Sequence, residues 1–193
     1  MEGLRVEAET SRRVREAMVA APRERFLPPV VRHLAPVDRP VGIGFDATNS
    51  QPSTVARMLE LLDARPGHRV LDVGAGSGWT TAILEALGAA AVGVEIVPEL
   101  VDFANANLEA QGADARVRQA TPGLLGLPDE GPWDRILVSA DFGRMPDALV
   151  AQLAEGGRMV APIVGLMQVV DLRDGSPHVR TDRGRYAFVP LQG

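Results

Sequence analysis

The chain contains no cysteine and no lysine. Without cysteine there is no disulfide frame, no thiol nucleophile and no thiolate metal or iron–sulfur site. Without lysine there is no phosphate-binding Walker lysine, no Schiff base and no lysine general base. All 20 basic residues are therefore arginine. Histidine is scarce, with His33, His68 and His178 far apart in sequence, a poor set for a histidine-rich metal site. No apolar run approaches the roughly 18 residues of a membrane span. The N-terminal MEGLRVEAETSRR lacks an apolar secretion core. The expectations are a cytoplasmic protein and no membrane contact. A net charge of −5 argues against a nucleic-acid partner.

What is present is ordinary for a globular domain: 193 residues, 46% hydrophobic and 23% charged. Length predicts one domain over 1–193. Residues 1–51 read as an N-terminal cover and substrate segment, 52–164 as a ligand-binding core, and 165–193 as closing antiparallel strands. A helix is expected over 5–20, where Val6, Val14 and Met18 recur among charged neighbours. The following stretch carries Pro22, Pro28, Pro29, Pro36, Pro40 and Pro52, which forbid a long regular element. About 30 residues is long for a connection, and such segments are usually functional.

Beyond residue 52 strands and helices alternate. Strands are expected at 69–73, 90–96, 115–120, 134–140 and 157–164, with antiparallel strands at 166–173 and 185–191. Helices are expected over WTTAILEAL, from Pro98 to a stop at Gly112, and from Pro146 through Leu153. This order predicts an α/β fold: a doubly wound, mostly parallel, seven-stranded Rossmann-like sheet with helices on both faces.

The strongest local signal runs from Leu71 to Gly78, LDVGAGSG. A strand ends, three alternate glycines turn the chain, and a helix begins. In an open parallel sheet this turn faces the ligand at the carboxyl ends of the strands. A dinucleotide fingerprint would place its third glycine where Trp79 stands, so the spacing is G-x-G-x-G instead. That spacing, preceded by Asp72, resembles the first motif of class I S-adenosyl-L-methionine methyltransferases. A tight structural turn would use the same glycines. Glu95 lies 21 residues after Gly74, at the end of the next strand, where a carboxylate can hold ribose hydroxyls.

With these residues in place, the sequence resembles the protein-L-isoaspartate O-methyltransferase family along nearly its whole length. Carrying the resemblance are Val14 to Met18, Pro22-Arg23-Glu24, Phe26-Leu27-Pro28, Ile43-Gly44 and Thr48-Asn49-Ser50-Gln51-Pro52. The last is similar to the family's T-I-S-Q-P signature. Further matches are Leu71 to Gly78, Gly93-Val94-Glu95, Pro98-Glu99-Leu100, Trp133 to Ile136, Gly156 to Met159, Pro162, Gln168 and the ending FVPL. The resemblance implies methyl transfer from S-adenosyl-L-methionine to the carboxylate of an isoaspartyl residue in a peptide or protein. It implies a catalytic Ser50 between cofactor and acceptor. The implied cofactor contacts are Thr48, Ser50, Asp72, Gly74, Ala75, Gly76, Ser77, Gly78, Glu95, Ile96, Gln119 and Ala120; no metal is implied. Ser50 also stands where a helix cap is expected.

The sequence departs from the family at several positions. Asp46 and Ala47 replace Gly-Gln, Asn49 replaces isoleucine, and Gln119-Ala120-Thr121 replaces Gly-Asp-Gly near the adenine. Ser139-Ala140-Asp141-Phe142-Gly143 replaces a small-residue and proline run. Asp46 and Asp141 are expected on loops over the strand ends. There they either face solvent or repel an acceptor carboxylate, by about 4 kcal/mol at 4 Å in an effective dielectric of 20. A divergent methyltransferase for another acceptor, or a non-catalytic cofactor-binding module, stays open on these residues.

Overall fold

The computed structural model describes residues 2–182, 184, 186, 188 and 190. The chain opens with helix α1 (Glu2–Ala20), two short 3-10 turns (Arg23–Phe26 and Pro29–Leu34) and a hairpin of β1 (Val41–Gly44) and β2 (Ala47–Asn49). Then follow α2 (Pro52–Leu62), β3 (Arg69–Val73), α3 (Trp79–Ala86), β4 (Ala90–Glu95), α4 (Pro98–Gln111), β5 (Arg116–Gln119) and β6 (Trp133–Val138). Helix α5 (Asp147–Val150), β7 (Leu153–Ile163), β8 (Leu166–Arg173) and β9 (Ser176–Thr181) complete the described elements. The main sheet has seven strands in the order β5-β4-β3-β6-β7-β8-β9. Strands β3 to β7 pair parallel, and β8 and β9 return antiparallel.

The central strands are buried on both faces, and their two-residue period sorts the core. Val70, Leu137, Val160 and Val169 pack with helices α1 to α4. Their neighbours Leu71, Ile136, Met159 and Val170 point the other way, onto α5 and the 125–127 loop. Four helices therefore cover one face, while the other carries the four-residue α5 and irregular chain.

Arginines gather at the end of α2. Arg13, Arg135 and Arg158 donate to the carbonyls of Ala64, Leu62 and Leu61 at 2.7, 2.9 and 3.0 Å. Arg135 and Arg158 thus meet unpaired carbonyls of the last turn of α2, and Arg13 one just beyond it, where the helix dipole favours positive charge.

Expected element ends shift by small amounts, with three larger differences. The helix expected from Pro146 through Leu153 is the single turn of α5, because Leu153 already belongs to β7. The prolines of the N-terminal segment do exclude long elements, yet β1 and β2 fit between Pro40 and Pro52. The closing strand expected at 185–191 falls largely outside the described residues, of which it includes Tyr186, Phe188 and Pro190. The seventh strand is instead Ser176–Thr181, every residue of which is exposed. With both faces wet and a proline inside, that edge strand shows no apolar alternation to read. No described helix is long and apolar enough to cross a membrane.

Candidate functional site

The parallel strands β3, β4, β5 and β6 all end on one side of the sheet, and the chain turns there to leave a cavity of about 390 Å³. Gly74 and Gly76 form one wall, Glu95 and Ile96 the middle, and Ala120 the far end; Thr48 reaches in from the N-terminal hairpin. A smaller recess shares the walls of Thr48, Gly74, Gly76 and Ser139. Ser50, Ala75 and Ser77 line this recess.

The glycine turn is dictated by close approach as much as by backbone freedom. Gly78 has φ 82°, and a Cβ there would come within 3.2 Å of the Ala104 side chain and 3.3 Å of its carbonyl. At Gly93 on β4, a Cβ would sit 2.8–2.9 Å from Val117, Ala75 and Thr81. The turn, β4 and β5 therefore pack at distances only glycine permits.

Glu95 is held by three backbone donors. Its Oε2 accepts from Gly76 N–H at 2.9 Å, and its Oε1 from Ile96 at 2.7 Å and Val97 at 3.1 Å. A carboxylate offers about four lone-pair sites, so the group is fixed in direction and still able to accept from ligand hydroxyls.

Asp72 stands behind the glycine turn, fully buried. Its Oδ2 accepts from the hydroxyls of Thr80 and Thr81 at 2.6 and 2.7 Å. Burial pushes its pKa up to about 6, the two threonine hydroxyls oppose the rise, and the Glu95 charge adds to it. The Ser139 hydroxyl lies beside it and lowers the pKa without a well-aligned hydrogen bond, so Asp72 Oδ1 and Ser139 Oγ are both buried and unpaired among the described residues.

Of the residues named from the sequence, Thr48, Gly74, Gly76, Glu95, Ile96 and Ala120 line the cavity, and Ser50, Ala75 and Ser77 line the recess. Asp72 and Gly78 support the turn from behind. Gln119 is not brought in: its amide donates to the Ile96 carbonyl at 2.6 Å from an exposed position. Ser50 is not a helix cap. Asp38 performs that task from a distance, accepting from Ser53 N–H at 2.9 Å and from the Gln51 amide at 3.0 Å. These hydrogen bonds hold the Asp38 carboxyl below its usual range. The Ser50 hydroxyl makes no hydrogen bond to the described residues.

The two aspartates that depart from the family pattern separate here. Asp141 Oδ2 accepts from Gly165 N–H at 3.0 Å and ties the β7–β8 turn, while its Oδ1 is buried without a partner among the described residues. It lines neither cavity, which removes it from the acceptor side. Asp46 is exposed and lines the cavity mouth.

Several cavity residues carry no mark in the sequence. Phe45 is one; with Asp46, expected over the strand ends, it forms the tip of the β1–β2 hairpin, at left-handed φ values of 54° and 56°. Phe45 stays 54% exposed at the mouth. Leu124 and Leu125 also line the cavity; their signal was a leucine pair inside a Gly/Pro-rich loop. Pro190, which bridges to Asp141, closes another side.

Comparison with known proteins adds a second line. The family model described as protein-L-isoaspartate(D-aspartate) O-methyltransferase matches residues 1–193. The protein-L-isoaspartate O-methyltransferase of Aeropyrum pernix is 45% identical over 192 residues, covering 95% of this chain and 74% of the relative. That of Methanopyrus kandleri is 44% identical over 191 residues, covering 95% and 84%. A Plasmodium falciparum protein-L-isoaspartate O-methyltransferase structure, in complex with S-adenosyl-L-homocysteine, superposes with a TM-score of 0.81 at 24% identity. It covers 93% of this chain and 90% of that one, a likeness of fold.

Proposed function

Because the chain belongs to the protein-L-isoaspartate(D-aspartate) O-methyltransferase family, we propose that the cavity holds S-adenosyl-L-methionine and that the recess beside Ser50 receives the acceptor carboxylate. The chain is an S-adenosyl-L-methionine-dependent methyltransferase of isoaspartyl groups. The roles assigned to its individual residues are our reading.

The residues fit this cofactor. The cavity has an oriented carboxylate at its centre, glycine backbone on one side, apolar walls at Leu124 and Leu125, and an unpaired buried hydroxyl on Ser139. In this reading Glu95 accepts from the ribose hydroxyls, Gly74 to Gly78 admit the methionine part against backbone, and Ile96 and Ala120 enclose the base. Thr48 sits where the two cavities meet. When bound, the cofactor supplies a methyl group on a positively charged sulfur.

The acceptor needs little chemical help from the chain. A carboxylate with a pKa near 4 is already ionised at neutral pH, so no general base is required. The described walls of the recess carry hydroxyl and amide groups and no histidine or carboxylate. Ser50 donates its uncommitted hydroxyl to one acceptor oxygen and turns the other toward the methyl group. Residues 45–50, which line the two cavities, exclude water above the site, a contribution of alignment and desolvation rather than of proton transfer.

The observation that carries this reading is the free Ser50 hydroxyl on a recess that shares a wall with the Glu95 cavity. The test is methyl transfer by the purified protein to an isoaspartyl peptide, with S-adenosyl-L-homocysteine binding measured alongside. Transfer with saturable binding supports it, and tight binding without transfer rejects the acceptor assignment.

A further inference from the structure

Asn49 lies one residue before Ser50 and is 4% exposed. Its Oδ1 accepts from Arg23 Nε at 2.7 Å, and its Nδ2 donates to Ser77 Oγ at 3.1 Å. The amide orientation is fixed by chemistry: a guanidinium has only donors, so the amide oxygen must face it and the NH₂ must face Ser77.

Each end of this bridge is itself anchored. Arg23 Nη2 donates to the carbonyls of Asn49 at 3.1 Å, Ser50 at 3.0 Å and Arg39 at 2.8 Å, and Nη1 to that of Val37 at 3.0 Å. The buried guanidinium lies over the Trp79 ring, 5.5 Å from its centroid. On the other side, Ser77 belongs to the glycine turn, and its carbonyl accepts from Asn107 on α4 at 3.0 Å. One continuous set of hydrogen bonds therefore joins the segment bearing Ser50 to the turn between Gly76 and Gly78.

We propose that Asn49 is a positioning residue that registers the acceptor segment against the cofactor turn, through the bridge Arg23–Asn49–Ser77. The inference rests on the roles proposed for Ser50 and the glycine turn. An apolar side chain of the same size fills the space but leaves Arg23 Nε and Ser77 Oγ unpaired; Arg23 still holds the Ser50 carbonyl, but the side-chain hydrogen bond that ties this segment directly to the turn is lost. A carboxylate restores the bridge: one oxygen accepts from Arg23, and the Ser77 hydroxyl rotates to donate to the other.

The test uses the full chain with Asn49→Leu, Asn49→Asp, Ser77→Ala and the Asn49→Leu/Ser77→Ala double variant. Asn49→Leu is expected to lower kcat on an isoaspartyl peptide about 10- to 100-fold, a bridge of one or two hydrogen bonds, with the Kd for S-adenosyl-L-homocysteine within about 3-fold. Asn49→Asp is expected to recover most of that kcat. Because Ser77→Ala breaks the same bridge, adding Asn49→Leu to it is expected to cost little more. An unchanged kcat in Asn49→Leu, no recovery by aspartate, or additive single effects would overturn the proposal. A readout free of turnover accompanies these: S-adenosyl-L-homocysteine is expected to slow amide exchange across 45–51 in the wild type and to do so much less in Asn49→Leu. Equal protection in both, or none in the wild type, contradicts the bridge even where methyl transfer succeeds. A wild type that binds S-adenosyl-L-homocysteine and shows the protection difference, yet transfers no methyl, would instead reject the acceptor assignment and leave the bridge standing.

Discussion

Gly76 N–H donates to Glu95 Oε2 at 2.9 Å, so the first glycine turn and the end of the second parallel strand are held together by the carboxylate assigned to the ribose. One side chain thereby has two tasks, shaping the turn and accepting from the ligand. Glu95→Ala removes both. The expected loss of S-adenosyl-L-homocysteine affinity is about 1.5–3 kcal/mol, the range for a hydrogen bond to a charged group. Unfolding stability should fall as well, because three backbone donors lose their acceptor. Calorimetry and thermal unfolding on the same samples check this. Unchanged affinity in a folded Glu95→Ala protein would contradict the ribose role.

Ser50 gives the opposite pattern. Its hydroxyl caps no helix, so Ser50→Ala should leave the melting temperature nearly unchanged. Methyl transfer should fall roughly 10- to 150-fold if one charge-assisted hydrogen bond aligns the acceptor, with cofactor affinity almost intact. Steady-state kinetics with saturating cofactor separates the two; a loss of stability equal to the loss of rate would show Ser50 to be structural.

Asp72 makes stability depend on pH in an unusual direction. Its folded pKa is raised to about 6, while an unfolded aspartate titrates near 3.9. The folded state therefore holds the proton more tightly. The benefit is fully present below about pH 4 and is lost as pH rises through about 6, a swing of about 3 kcal/mol. An asparagine side chain in its place cannot ionise but still accepts from Thr80 and Thr81. Asp72→Asn should thus gain on the wild type by about that amount between pH 4 and pH 8. Urea unfolding of both proteins at the two pH values tests it, and a constant difference would contradict the assigned burial cost.

The two departing aspartates should respond differently. Asp141→Ala removes the acceptor of Gly165 N–H and should destabilise the chain by about 1 kcal/mol without raising turnover. Asp46→Gly relieves a left-handed non-glycine residue, worth about 1 kcal/mol, and removes a charge from the cavity mouth. Turnover on an isoaspartyl peptide should rise a few-fold, most at low ionic strength, where an exposed charge is least screened. Equal responses of the two variants would contradict the tie between Asp141 and the β7–β8 turn.

The site was legible in sequence wherever it was local. Leu71 to Gly78 encode strand, turn and helix within eight residues, and Glu95 follows at a fixed offset because one helix and one strand intervene. The parallel core was legible where its strands are apolar on both faces, as in β3, β4 and β6. What stayed hidden depends on contacts between distant segments. Nothing near Ser50 announces that Asp38 caps α2 in its place, and nothing near Asn49 announces Arg23, 26 residues away. Asp46 and Asp141 look alike as loop carboxylates; only the fold of β7 and β8 gives Asp141 a backbone partner. The family resemblance implies Gln119 on the adenine side, but the neighbouring Ile96 carbonyl claims its amide. Strand β9 lacks a buried face, so no periodicity marks it.

The most direct measurement is methyl transfer from S-adenosyl-L-methionine to two peptides of one sequence, differing only in an isoaspartyl or a normal aspartyl linkage. The account predicts transfer to the isoaspartyl peptide and little or none to the other, with Ser50→Ala depressing the first. Equal transfer to both peptides, or none to either alongside tight S-adenosyl-L-homocysteine binding, would contradict it.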